Sequence, residues 1–314
     1  MEELSYALNA VLPTLLLLLL GWALRRRGLF PDSFIAPADR ICMRLLFPVL
    51  LFRSMYQGGG ALGPYLRGIA FAYGVIALSA CVGVLVVPRF IRDRRRIAVV
   101  IQSLYRGNYT LYGIPFSELL GGSQALGVAS AIVAATVPAL NFAAATMYSY
   151  YAGTERKSFW QIMGDVFKNP LVWSIFLGLG CRLIRLPLPA AVSSVMGNLA
   201  AMASPLAFML LGAKLRLGGL GRDLPLLCFT VAWKLLAMPA IFLPAAIGLF
   251  HMRGTDLIPI LLFLAAPSAI TTAQLATMYG ADDRLAGDIV AVSTLMSTGT
   301  LCAIVTLLRA LGIL

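Results

Sequence analysis

The chain has 314 residues, 60% of them hydrophobic and only 12% charged, with a mean hydropathy of +0.87. Soluble domains carry roughly a quarter charged residues, so an ordinary water-soluble globule is excluded. The net charge of +12 does not point to a nucleic-acid partner, because no basic patch is interleaved with exposed aromatics; Lys and Arg instead mark the cytoplasmic loops of a membrane protein.

A spanning helix needs about 20 residues. Ten stretches meet that length: 5–24, 38–57, 66–88, 97–120, 123–151, 166–186, 191–213, 224–249, 257–279 and 284–312. Span 1 is preceded by Glu2 and Glu3 and by no basic residue, the reverse of a secretory signal's charge order, so it is expected to stay as a helix. The loops after spans 1, 3, 5, 7 and 9 hold sixteen basic residues, among them Arg25, Arg26, Arg27 and Arg94, Arg95, Arg96, against six on the other side. That asymmetry predicts both termini outside. The five cysteines stand singly in apolar spans and read as packing residues, not metal ligands. His251, the lone histidine, falls at the end of span 8 and reads as an interfacial loop residue. With no metal-binding motif, no Ser–His grouping and no nucleotide loop, neither enzyme chemistry nor a cofactor is expected.

Two spans are broken. Span 4 contains Arg106-Gly-Asn108-Tyr-Thr110-Leu-Tyr-Gly113-Ile-Pro115, and span 9 contains Ala265-Ala266-Pro267-Ser268. Irregular backbone is tolerated at membrane depth only where it is buried in protein or lines a polar cavity. A shift of 157 residues lays Pro13 on Pro170, Gly21 on Gly178, Arg25 on Arg182 and Pro48 on Pro205, and one further residue lays Gly122 on Gly280. Each copy then holds five spans. An odd number forces the copies into opposite orientations, which is the inverted-repeat architecture of secondary transporters.

The fold expected is therefore all-α and polytopic: ten transmembrane helices as two inverted five-helix repeats, with broken helices 4 and 9 crossing near the midplane. There, the N-termini of two half-helices converge with partial positive charge and free N–H donors, a setting that favours a small anion. Asn108, Thr110 and Ser268 are placed to cap these ends or donate to a ligand, with Thr271 and Thr272 in the first turn beyond. Arg106 offers a counter-charge for a second carboxylate, or else pairs with a carbonyl of the broken helix or an acidic neighbour. Lys234 in span 8 offers a charge that senses the substrate's, or else pairs or snorkels to an interface, the commoner role of a lysine within a span. Glu118 and Asp288 are the acidic residues available for proton coupling.

These residues resemble the auxin efflux carrier family, which includes the plant PIN-FORMED carriers and many bacterial permeases. The resemblance rests on Asn108-Tyr-Thr-Leu-Tyr-Gly113-Ile-Pro115 followed by Gly121-Gly122, on Asn169-Pro170 and Gly178, on Pro205-Leu206 with Gly212-Ala213 and Leu215, and on Ala266-Pro267-Ser268, Ala276, Tyr279-Gly280 and Ser293-Thr294. It implies a fold related to bile-acid symporters and sodium/proton antiporters. Scaffold helices would lie in 1–57 and 153–215, and elevator-type transport helices in 58–152 and 216–314. It implies transport of small organic anions such as dicarboxylates and does not imply a sodium requirement, and a homodimer through the scaffold helices is compatible with it. The short linker between spans 5 and 6 matches bacterial-type permeases better than long plant carriers, so the resemblance implies a bacterial plasma (inner) membrane as the location. Arg106 departs from the apolar or small residue the family pattern leads us to expect there. A channel, or a transporter-like membrane sensor of a carboxylate ligand, is the alternative reading.

Overall fold

A computed structural model describes residues 2–57, 63–152, 170–214 and 223–314. The glycines Gly58, Gly59 and Gly60, which sequence reading treats as a loop or hinge, lie outside the described residues, as do Asn169 and Leu215 of the family motifs. The described chain is helical throughout, apart from turns and one isolated β-bridge. Its elements are α1 (Glu2–Arg26), α2 (Asp32–Ile41), α3 (Phe47–Gln57), α4 (Gly63–Phe90), α5 (Arg94–Tyr105), α6 (Ile114–Ala152), α7 (Pro170–Leu183), α8 (Ala190–Ala213), α9 (Leu224–Ala232), α10 (Met238–Gly248), α11 (Leu257–Ala265), α12 (Ile270–Met278) and α13 (Asp283–Ala310). Among the described residues, five helical stretches are long and apolar enough to cross a bilayer: Gly63–Phe90, Tyr109–Ala152, Ala190–Ala213, Leu224–Gly248 and Asp283–Ala310. Leu16, Leu66, Leu78, Phe176, Val195 and Ile241 are exposed on the outside of the bundle, the surface an integral membrane protein presents to lipid.

Three short π-helical turns interrupt the helices: Cys42–Leu46, Tyr109–Gly113 and Trp233–Ala237. Each is followed, after one residue, by a proline: Pro48, Pro115 and Pro239. A proline has no N–H for the carbonyl four residues back, and its ring crowds that carbonyl. The wider turn relieves the crowding, and Phe47, Ile114 and Met238 bond back five residues to Cys42, Tyr109 and Trp233. Span 4 runs into span 5 through Gly122, whose φ of 62° and ψ of −156° suit glycine alone.

Two helix pairs pack closely enough to exclude a side chain. A Cβ on Gly21 would strike the backbone carbonyl of Met209, and one on Gly212 that of Leu18, so α1 and α8 touch backbone to backbone. A Cβ on Gly178 would strike the carbonyl of Phe52, which joins α7 to α3 in the same way. The 157-residue shift carries Gly21 to Gly178 and Phe52 to Met209, so one contact is the image of the other. Left-handed backbone recurs at the same interval: Gly28 (φ 76°) with Arg185 (φ 52°), and, one residue further, Gly122 with Gly280 (φ 65°).

Polar clusters tie the helix starts together at each end. Arg96, ahead of span 4, meets Asp223 at 2.8 Å and Asp282 at 3.1 Å, the residues that open α9 and α13. At the other end Asp256, ahead of span 9, meets Arg67 of α4 at 3.6 Å and accepts from Gln124 of α6 at 3.3 Å. The second cluster joins the starts of spans 3, 5 and 9 as the first joins those of spans 8, 10 and 4.

Candidate functional site

The two breaks meet. Residues 106–108 leave helical geometry after α5, and 266–269 separate α11 from α12. Gly107 and Ser268 form an antiparallel bridge. The Asn108 N–H donates to the Pro267 carbonyl at 2.7 Å, and the Ala269 N–H to the Arg106 carbonyl at 3.2 Å. Each break thus answers backbone groups that the other leaves open, as unwound backbone in an apolar interior requires.

Side chains around the crossing are buried and partly unmatched. Asn108 is 7% exposed, and its Nδ2 has no hydrogen-bond partner; the same holds for Ser268 Oγ and Thr272 Oγ1, both on fully buried residues. Gln102 and Tyr105, in the last turn of α5, also carry buried polar atoms without partners. Such groups are costly unless something completes them. Thr110 is half-buried and Thr271 is exposed.

The capping expectation is corrected. Asn108 makes no side-chain cap to the turn that follows it, and α12 begins after Ala269 with no side-chain cap at all. Asn108's backbone serves the crossing, while Ser268 lies one residue too early and gives its N–H to Ser293 Oγ at 3.1 Å. Both side chains are left turned to other uses.

Gly113 and Pro115 are buried and shape the break. Gly113 accommodates the Tyr109 ring, which a Cβ would strike. Tyr109 in turn donates from its hydroxyl to the Pro259 carbonyl at 3.0 Å and meets Phe263 edge-on, fixing the span 4 break to α11. Tyr148 of α6 likewise donates to the Thr272 carbonyl at 3.1 Å and stacks on Tyr279, fixing α12. Sequence reading quoted Tyr109 only as part of the span 4 motif, without a role, and missed Tyr148, whose only signal is a phenol inside an apolar stretch.

Arg106 is buried, and its guanidinium donates to the Leu140 carbonyl at 3.2 Å and to Asn141 Oδ1 at 2.9 Å on α6. Glu118 is exposed. Asp288 is half-buried and helps line a cavity of about 640 Å³ that runs from Arg25, Lys214 and Arg284 past Gln274 and Thr277 to Ile270, the first residue of α12. This cavity connects one end of the molecule with the second half of span 9.

The model of a family described as membrane transport protein matches residues 119–305. An uncharacterized transporter from Methanothermobacter thermautotrophicus is 25% identical over 303 residues, covering 92% of this chain and 94% of that relative.

Proposed function

The chain belongs to the membrane transport protein family, that of the auxin efflux carriers, and from that premise we propose that it is a secondary transporter of small organic anions, dicarboxylates among them, bound where the two broken helices cross. One observation carries the reading: the breaks pair through their backbones, yet leave Asn108 Nδ2, Ser268 Oγ and Thr272 Oγ1 buried without partners. A carboxylate accepts from all three, and the start of α12 adds N–H donors and a favourable dipole. Asn108 is the principal ligand in this scheme, with Pro115 and Pro267 holding the breaks open.

The ten-helix inverted-repeat reading draws support from the recurring glycine contacts, the paired left-handed residues and the two polar clusters. In the elevator scheme the close-packed pairs α1–α8 and α3–α7 form the static part, and the helices around the crossing move past them. The cavity ending at Ile270 is the access path in this state. Asp288, at its wall, is better placed than Glu118 to carry a coupling proton. The basic loops put the Arg96 end in the cytoplasm of a bacterial cell, with both termini outside.

Counterflow in proteoliposomes tests the reading. Radiolabelled malonate, malate and an indole carboxylic acid are each assayed on the wild type and on Asn108→Ala. Saturable exchange of one of them, lost in the variant, is the expected result. Exchange that survives Asn108→Ala moves the site away from the crossing. Flux without saturation or counterflow would instead favour a channel. No exchange at all by folded protein removes the transport of these anions.

A further inference from the structure

Lys234 is the second cation at the crossing, and its surroundings differ from those of Arg106. It occupies the π-helical turn Trp233–Ala237 ahead of Pro239 and is fully buried. That turn packs against α5, α11 and α13, so the side chain projects into the helices that carry the two breaks. Its Nζ stands 3.2 Å from the place a Cβ on Gly107 would take, against the backbone that pairs with Ser268. Extended backbone sends alternate residues to opposite faces, so Lys234 approaches on the Gly107 side while Arg106 departs on the other toward α6.

An ammonium has three donors and no acceptor. The hydrogen-bond partner Lys234 finds among the described residues is Met238 Sδ at 3.2 Å, a weak acceptor, and no described carboxylate forms an ion pair with it. Arg106, by contrast, has its fork engaged by two oxygens of α6. A buried charge is normally paired, and charged groups inside a membrane protein face partners or substrate pathways. Gly107, the residue between the ammonium and the crossing, is itself partly open, and its missing side chain leaves only backbone in between.

We propose that Lys234 supplies the fixed positive charge against which the transported anion is matched, acting on a carboxylate at the crossing across Gly107, with Asn108 and Ser268 giving hydrogen bonds. The assignment rests on the anion-transport reading above and names the group that selects for charge. In the low-dielectric interior a unit charge acts strongly over a few ångströms, so the preference for a dianion over the corresponding monoanion comes from this residue. Gly107 stays small because a Cβ there presses on the ammonium.

Lys234→Met is the test, since methionine has similar length and no charge. Malonate and its monoamide are compared by counterflow and by thermal shift on wild type, Lys234→Met and Asn108→Ala. The expected result is that Lys234→Met folds with a melting temperature at or above that of the wild type, binds malonate at least tenfold more weakly and loses its preference for malonate over the monoamide. Asn108→Ala weakens both ligands alike. Unchanged malonate affinity and preference in Lys234→Met overturns the assignment and leaves the transport reading intact. A fall of several degrees in melting temperature, with exchange of both ligands lost together, makes Lys234 a structural residue and equally overturns it. A wild type that exchanges neither malonate nor any other carboxylate tested overturns the transport reading, and this assignment with it.

Discussion

The contact between α1 and α8 and the crossing of the two breaks are built in opposite ways. At the first, glycines Gly21 and Gly212 let carbonyl meet Cα with nothing between. At the second, the two breaks pair through backbone hydrogen bonds, but Asn108, Ser268, Thr272 and Lys234 keep polar groups that the protein does not complete. Tight apolar contact resists change, because lipid provides no hydrophobic force and helix association depends on close approach of small residues. Unmatched polar groups have a cost that a ligand removes. On the proposed reading, the difference separates the part of the molecule that stability constrains from the part that binding constrains.

Substitution makes that separation measurable. Gly212→Leu should have the largest effect on stability: its side chain would occupy the Leu18 carbonyl, and we expect a loss of about 3 kcal/mol or more, read as a lowered melting temperature in detergent. Arg106→Lys should cost about 1–2 kcal/mol, because a lysine cannot hold Leu140 and Asn141 with one planar fork, and malonate affinity should stay near that of the wild type. Asn108→Ala should leave stability within about 0.5 kcal/mol, since the amide nitrogen it removes is unpartnered, while losing more than about tenfold in malonate affinity. A melting temperature that falls as far for Asn108→Ala as for Gly212→Leu would erase the distinction between the two regions.

Much of this arrangement is legible in the sequence. Hydropathy marks the apolar segments, and Gly107, Pro115 and Pro267 mark both breaks, since these residue types do not sit in an uninterrupted helix without consequence. Gly122 and Gly280 mark the ends of the broken helices by the left-handed backbone they adopt. The π-helical turns are only half legible. Pro48, Pro115 and Pro239 each follow one, yet Pro13, Pro37, Pro88, Pro138, Pro205 and Pro244 sit inside helices that continue through them. Whether a helix widens depends on what packs against the displaced carbonyl, which a single sequence does not state. The two cations illustrate the same limit. As residue types, Arg106 and Lys234 invite similar readings; Arg106's partners lie on another helix, where the packing of α6 gives it two oxygens, while the turn at Trp233–Ala237 carries Lys234 inward beside the weak acceptor Met238 Sδ of its own span.

The pairing of Asn108 with Pro267 and of Arg106 with Ala269 also governs how the protein can be made. The partners lie about 160 residues apart in the chain. At a synthesis rate of roughly 5–20 residues per second, span 4 emerges roughly 10–30 s before the segment that completes it. For that interval its break faces the interior of a half-built protein with backbone groups unanswered, which apolar surroundings penalise by several kcal/mol per group. The helices α1 to α6 therefore do not form a finished unit on the way to the rest of the chain. The break after α5 closes only when α11 and α12 arrive, so assembly around it ends after synthesis of the chain is nearly complete.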